Sequence, residues 1–204
     1  MSRTGMSDYI SDLRAMCNAG TADYTIAGVA YWTDDQVQTV LDRHRLDITE
    51  EMLTAIPDTA PGDVVLKRYY SAYHNLESGT AVFSIIDSAG NVQGTANYTA
   101  DYRNGRFVWS ADTEGALYYM TGRSYDVNSA AADIWRQKAG HFSTAVNFST
   151  DNMRVDRGSM MNNALQMATY YEQQAPAQVV TLYRSDTWPD MGDDETTGER
   201  QEWE

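Results

Sequence analysis

Residues 97–112 read NYTADYRNGRFVWSAD. Polar and apolar residues alternate on both sides of Asn104-Gly105. That dipeptide between alternating segments is the strongest short-range signal of a β-hairpin. A period near two persists outward from it. Upstream, DVVLKRYYSAYHNLE (63–77) and TAVFSIID (80–87) are rich in β-branched and aromatic residues, and EGALYYMTG (114–122) continues the pattern downstream. Such residues suit a pleated, half-buried surface. DSAGN at 87–91 supplies a turn. The expectation is an antiparallel sheet of about four to six strands over 48–122, approached irregularly through Pro57 and Pro61.

The period becomes helical on either side of this region. SDYISDLRAMCNA (7–19) places Ile10, Leu13 and Cys17 on one face, with Ser7 as N-cap and Gly20 as C-terminal stop. Thr33 and Gln36 form a capping box ahead of a stripe of Val37, Val40, Leu41 and His44. The Tyr31–Trp32 pair before the cap is placed to staple this helix to a neighbour. After Asp126, a plausible N-cap, a third helix carries the stripe Ala131, Ile134, Trp135, Lys138, Phe142 and Val146, with Lys138 expected to snorkel. A short loop leads to a fourth helix, Ser159 to Ala175, stopped by Pro176. Its expected stripe is Met161, Ala164, Leu165, Ala168 and Tyr171. The short loop makes the last two helices antiparallel neighbours.

The expected fold class is therefore α+β. A helical core, built from the opening helices (1–47) and a C-terminal helical hairpin (123–181), carries an inserted antiparallel β-region (48–122). A flexible acidic arm (182–204) follows. No internal repeat is visible.

Composition narrows the function. The chain of 204 residues has a formal net charge of −14 and one cysteine, Cys17. From Asp186 onward eight acids stand against a single base, Arg200. An acidic surface opposes DNA binding, which rests on Lys and Arg releasing counterions from phosphate. A lone cysteine rules out an internal disulfide and is ordinary in a reducing compartment. No run reaches the roughly 18 apolar residues of a membrane span, and Met1 to Ile10 lacks the basic-then-apolar order of a signal peptide. The histidines, His44, His74 and His141, lie in separate segments without metal spacing. Nucleophile-elbow and phosphate-loop patterns are absent. Cys17 lies on an apolar helix face and reads as a small buried hydrophobe. Neither DSAGN nor the tail acids follow the order of a calcium loop. No catalytic residue, cofactor or metal is expected, and the chain reads as a non-catalytic assembly protein.

One stretch carries a resemblance. SYDVNSAAADIWRQKA, then NFSTDNMRVDRGSMMNNALQMATYYEQQA, resembles the helical hairpin of head–tail connector (adaptor) proteins of tailed bacteriophages. The matching positions are Tyr125, Asp126, Ala130, Ala131, Ala132, Trp135, Lys138, Ala139, Phe148, Asp151, Arg157, Ala168, Tyr171 and Ala175. LYRSD (182–186) resembles the family's exit from the second helix, and WTDDQVQTVLDRH (32–44) is similar to its opening helix. About half the chain is covered, and the interposed β-region departs from the small all-helical adaptors. The resemblance implies a virion protein of the neck, assembled in the host cytoplasm as a homo-oligomeric ring of twelve copies. It would dock under the portal protein, extend the DNA channel and present a platform to a downstream neck or tail protein. Duplex DNA would pass without specific binding, and no membrane is involved.

Two residue groups follow as candidates. Trp135 and Phe142 are expected to pack against Leu165, Ala168 and Tyr171. The arm is expected to dock on the portal or a neighbour, anchored by Trp188 and Trp203, stiffened by Pro189 and steered by Arg184 and Asp186. Competing readings are another neck protein, such as a stopper or tail-completion protein, a carbohydrate-binding module using the strand aromatics, and a hydrolase using scattered acids.

Overall fold

The structure, a computed structural model, describes residues 3–21, 23–60, 63–144, 148–150, 153–155 and 157–176. The chain opens with α1 (Ser7–Cys17), a short hairpin of β1 (Tyr24–Ile26) and β2 (Val29–Tyr31), and α2 (Asp34–Arg43). Seven strands follow: β3 (Arg45–Met52), β4 (Thr54–Ala60), β5 (Asp63–Tyr70), β6 (Ser84–Asp87), β7 (Tyr98–Asp101), β8 (Arg106–Trp109) and β9 (Tyr118–Tyr125). Then come α3 (Val127–Ser143), a second short hairpin of β10 (Phe148–Thr150) and β11 (Met153–Val155), and α4 (Arg157–Gln174).

This corrects the expected helical core carrying one inserted β-region. Among the described residues eleven strands stand against four helices, in four antiparallel sheets. The fold is mixed and rich in sheet. Strand pairs also appear inside both segments expected to be helical, β1–β2 in one and β10–β11 in the other. Each of their strands is three residues long, too short for a period to show.

The middle of the chain forms two sheets, ordered β3-β9-β6 and β4-β5-β8-β7. Leu53 is the corner between them. It is buried between β3 and β4, and its N–H donates to the Tyr118 carbonyl at 2.8 Å. Pro57 sits within β4, an outer strand of its sheet, where a missing N–H is tolerated; Pro61 lies outside the described residues. The inner faces enclose one core of Ile48, Leu53, Tyr69, Leu76, Phe83, Ile85, Tyr98, Phe107, Trp109, Tyr118 and Met120. The β8 burial pattern alternates strictly, with Phe107 and Trp109 inward and Arg106 and Val108 outward. Asn104-Gly105 does turn a hairpin, β7–β8, but through a longer loop in which Gly105 takes φ 62°. A Cβ there would stand 2.2 Å from the Tyr73 carbonyl oxygen.

A second core gathers Met6, Tyr9, Ile10, Leu13 and Cys17 of the N-terminal segment, Trp32, Val37, Val40 and Leu41 around α2, and Tyr125, Ala130, Ala131 and Ile134 near the start of α3. The capping box of α2 is present. Gln36 N–H donates to Thr33 Oγ1 at 3.3 Å, and Thr33 N–H donates to Gln36 Oε1 at 2.9 Å. Helix α1 stops earlier than Gly20 suggests, because Asn18 takes the left-handed conformation at φ 47°. Asn tolerates that region through its short polar side chain.

Candidate functional site

Helix α3 starts at Asp126, whose carboxylate accepts from Ser129 N–H at 3.0 Å and Ser129 Oγ at 2.5 Å. Its alanines 130, 131, 132 and 139 are buried, so neighbouring backbones can approach closely. Helix α4 lays Ala164 and Ala168 against this assembly, both almost wholly buried. Trp135 and Tyr171 pack against the helical core. Phe142 is half-buried beside the His141 ring. Leu165 departs from the expected stripe: it is 44% exposed. The inward stripe of α4 runs through the buried Ala164 and Ala168 and the half-buried Tyr171, and Leu165 stands about 100° around the helix from Ala164. Arg184, Asp186, Trp188, Pro189 and Trp203 lie outside the described residues.

Lys138 does not snorkel to water. It is buried, and its Nζ donates to the Cys17 and Asn18 carbonyls at 3.0 Å each while pairing with Asp23 at 2.7 Å. Those carbonyls are orphaned acceptors at the end of α1, where a cation is favoured. Cys17 is buried beside them, and burial pushes its thiol up to about 12. A thiol so far from ionisation is no nucleophile at neutral pH. His44 is bonded to Asp133 at 2.8 Å, and His141 stacks on Tyr24. Among the described residues no group of three or more His, Cys, Asp or Glu is placed to hold a metal ion, and no helix is long and apolar enough to cross a membrane.

Asp87 does not offer its carboxylate outward. It accepts from the Ala89 and Asn91 N–H groups and the Asn91 side chain, and these bonds hold it below the usual carboxylate range, those from Asn91 foremost. A cleft of about 550 Å³ lies between α1 and the β7–β8 loop, with Asp8, Asp12, Asp101 and Arg103 in its wall. Its carboxylates are engaged: Asp12 pairs with Arg103, and Asp101 accepts from Asn104. The strand aromatics are largely spent on one another. Tyr69, Tyr98, Phe107, Trp109 and Tyr118 are all buried, and Trp109 stacks on Tyr118 at 4.4 Å between centroids. They form a core rather than a platform for sugars.

The seam between the two cores is polar. Glu77, 1% exposed, receives a hydrogen bond from the Tyr125 hydroxyl at 2.6 Å and from Arg3 Nε at 3.1 Å, with Arg123 at 3.6 Å. Arg3 also clasps Asp42 of α2 through both terminal nitrogens, at 2.9 and 2.6 Å. Tyr9 closes the seam by donating to the Leu76 carbonyl at 2.8 Å. Sequence reasoning did not single out Arg3, Glu77 or Tyr125 as a group, because they are distant in the chain.

Of the exposed apolar side chains, two groups lie on stretches of sequence that lack charge. The first is the β1–β2 hairpin. Ala27 and Gly28 both take positive φ, 48° and 81°, the signature of a tight two-residue turn. Tyr24 and Tyr31 pair across its base and stack at 5.1 Å, and Tyr24 in turn lies flat on His141 at 4.0 Å. Beyond this clamp Ile26 and Val29 pair at the tip, 43% and 52% exposed. The second surface is the outward face of α4. Leu165 and Tyr170, 44% and 53% exposed, line a shallow groove of about 500 Å³ with Asn162, Gln166, Thr169 and Gln173. Neither surface carries a charge, and the whole stretch 159–171 has none. On the four-stranded sheet, by contrast, Arg68 stands in register between the exposed Ile56 and Val108. The charge-free stretches are legible in the sequence, but Leu165 was expected to pack inside the hairpin rather than to stand on an exposed face, and Ile26, Val29 and Tyr170 were not among the expected site residues.

No protein-family model matches the chain, and no curated protein is significantly similar to it.

Proposed function

We propose that this chain is a non-catalytic assembly protein, the head-to-tail adaptor of a tailed bacteriophage. It closes into a ring under the portal, extends the DNA channel and presents a platform to the next neck or tail protein. One observation carries the assembly reading: among the described residues, two dissimilar, charge-free stretches present exposed apolar side chains on a chain of net charge −14. Large exposed apolar side chains grouped without charge mark interaction sites. Two different surfaces that fit each other make a head-to-tail contact, and such contacts close into rings or run on as filaments. The resemblance of 124–175 and 32–44 to connector proteins supplies the location, a twelvefold ring in the virion neck. The acidic balance suits a DNA channel, since a net-negative lumen gives phosphates no cation to hold.

Light scattering and negative-stain imaging of the full chain, alone and mixed with a portal, test this reading. Rings that seat on the portal support it. A chain that stays monomeric at high concentration and ignores the portal overturns it. Rings that bind only a neck or tail protein would move the chain to a stopper or tail-completion role. Duplex DNA should show negligible binding at physiological salt; tight binding would contradict the acidic lumen.

A further inference from the structure

We infer that the β1–β2 hairpin of one copy seats in the α4 groove of the next, with Ile26 and Val29 against Leu165 and Tyr170. The inference rests on the ring reading and names its subunit contact.

The hairpin has the form of an inserting element. Among the described residues its two strands have no third neighbour, and an isolated hairpin is marginal in water. The Tyr24–His141 stack fixes its base on α3, so the tip is presented by a rigid support. Ile26 and Val29 are directly paired, which puts both side chains on one face of the hairpin. The α4 groove is a fitting receiver. Its floor belongs to a helix whose opposite face is already packed on α3 through Ala164 and Ala168. Leu165 and Tyr170 give apolar walls, and the Gln and Asn side chains around them can bond the unpaired strand edges.

Charge selects a second copy as the occupant. Identical chains of net charge −14 repel each other wherever their acids meet. Contact between copies escapes that repulsion where both faces lack charge, as the hairpin (24–33) and the α4 stretch (159–171) do. A basic partner would instead be drawn to the acidic surfaces. Because hairpin and groove are different patches of one chain, their contact is heterologous and repeats from copy to copy.

Paired cysteine variants of the full chain provide the test. Val29→Cys and Leu165→Cys are made separately, and native Cys17 is too deeply buried to compete. Mixed under mild oxidation, the two should give a covalent dimer, and neither alone should. A single chain carrying both should give a ladder up to the ring. Ile26→Asp should weaken self-association by about tenfold or more while leaving the circular dichroism spectrum unchanged. If Val29→Cys dimerises by itself, the contact is hairpin to hairpin and the inference fails. If wild-type rings form but the mixture gives no cross-link, this contact is wrong and the ring reading stands. Should the cross-link appear only after residues 177–204 are deleted, the chain's own tail occupies the groove and the inference is again overturned. A wild-type chain that remains monomeric with and without portal removes the ring reading itself.

Discussion

Trp135 and Tyr171, on facing helices, donate to the same acceptor: Trp135 Nε1 lies 3.3 Å and the Tyr171 hydroxyl 3.1 Å from the Met16 carbonyl oxygen. Met16 belongs to the last turn of α1, where carbonyls lack helical partners. A shared acceptor makes the two bonds interdependent. Trp135→Phe or Tyr171→Phe alone should cost about 1 kcal/mol or less, because the other donor remains. The double variant should cost more than the sum of the two, since it leaves the carbonyl unpaired. Trp135→Ala, which also removes packing, should cost about 3 kcal/mol. Urea unfolding of the four variants checks this; strict additivity would mean the two donors act independently.

Lys138 anchors the same helix end. Lys138→Met keeps the length of the side chain but leaves the Cys17 and Asn18 carbonyls and Asp23 without their cation. The expected loss is about 3 kcal/mol, and Lys138→Arg should recover part of it. A stability change under about 0.5 kcal/mol would show that water replaces the ammonium without cost.

At the seam, Glu77→Gln removes the charge that faces Arg3 and Arg123 while preserving shape. Loss of one partner from a buried ion pair is costly, and a decrease of about 3 kcal/mol is expected. Arg3→Met should also destabilise, by a smaller amount because Arg3 is a third exposed. Thermal unfolding followed by circular dichroism distinguishes the two. Equal effects would contradict the central place assigned to Glu77.

Burial pushes the hydroxyls of Tyr9 and Tyr98 up to about 12 and raises Tyr102, Tyr118 and Tyr125 in the same direction. The folded state therefore holds protons that the unfolded chain releases near the ordinary tyrosine value of about 10. Stability should be insensitive to these groups below about pH 10 and fall as pH rises toward 12. Ultraviolet titration should show tyrosinate appearing together with loss of tertiary structure. Smooth ionisation of all tyrosines near pH 10 in a folded protein would contradict the burial of these rings.

The C-terminal arm gives a prediction about assembly. A chain ending at Asp186 lacks Trp188, Pro189 and Trp203, which are proposed to anchor on the portal. It should fold with unchanged stability yet fail to join the portal in a pull-down. Unimpaired joining would reduce the arm to a solubilising tail.

Local chemistry was legible from the residues alone. The Thr33–Gln36 capping box, the Asp126 cap and the turn at 87–91 each depend on partners within four positions, and each forms where the residue types indicate. Strand periodicity likewise marked the middle of the chain. The β1–β2 hairpin escaped because Ala27-Gly28 is a weak turn signal and its strands are short.

Sequence by itself marked the four helices and the strand-rich middle of the chain, because period, caps and turn residues act over a few neighbours, but not the short hairpins β1–β2 and β10–β11. It also determined the charge-free stretches at 24–33 and 159–171. Tertiary structure alone decided that the β-region splits into two sheets at Leu53, that Lys138 ends on the carbonyls of α1, and that Leu165 faces outward while Ala164 and Ala168 face in. These outcomes depend on which surfaces meet. A helix stripe wide enough to include both Leu165 and Ala168 leaves its rotation open until a partner helix, here one faced with small alanines, sets how closely the two backbones approach.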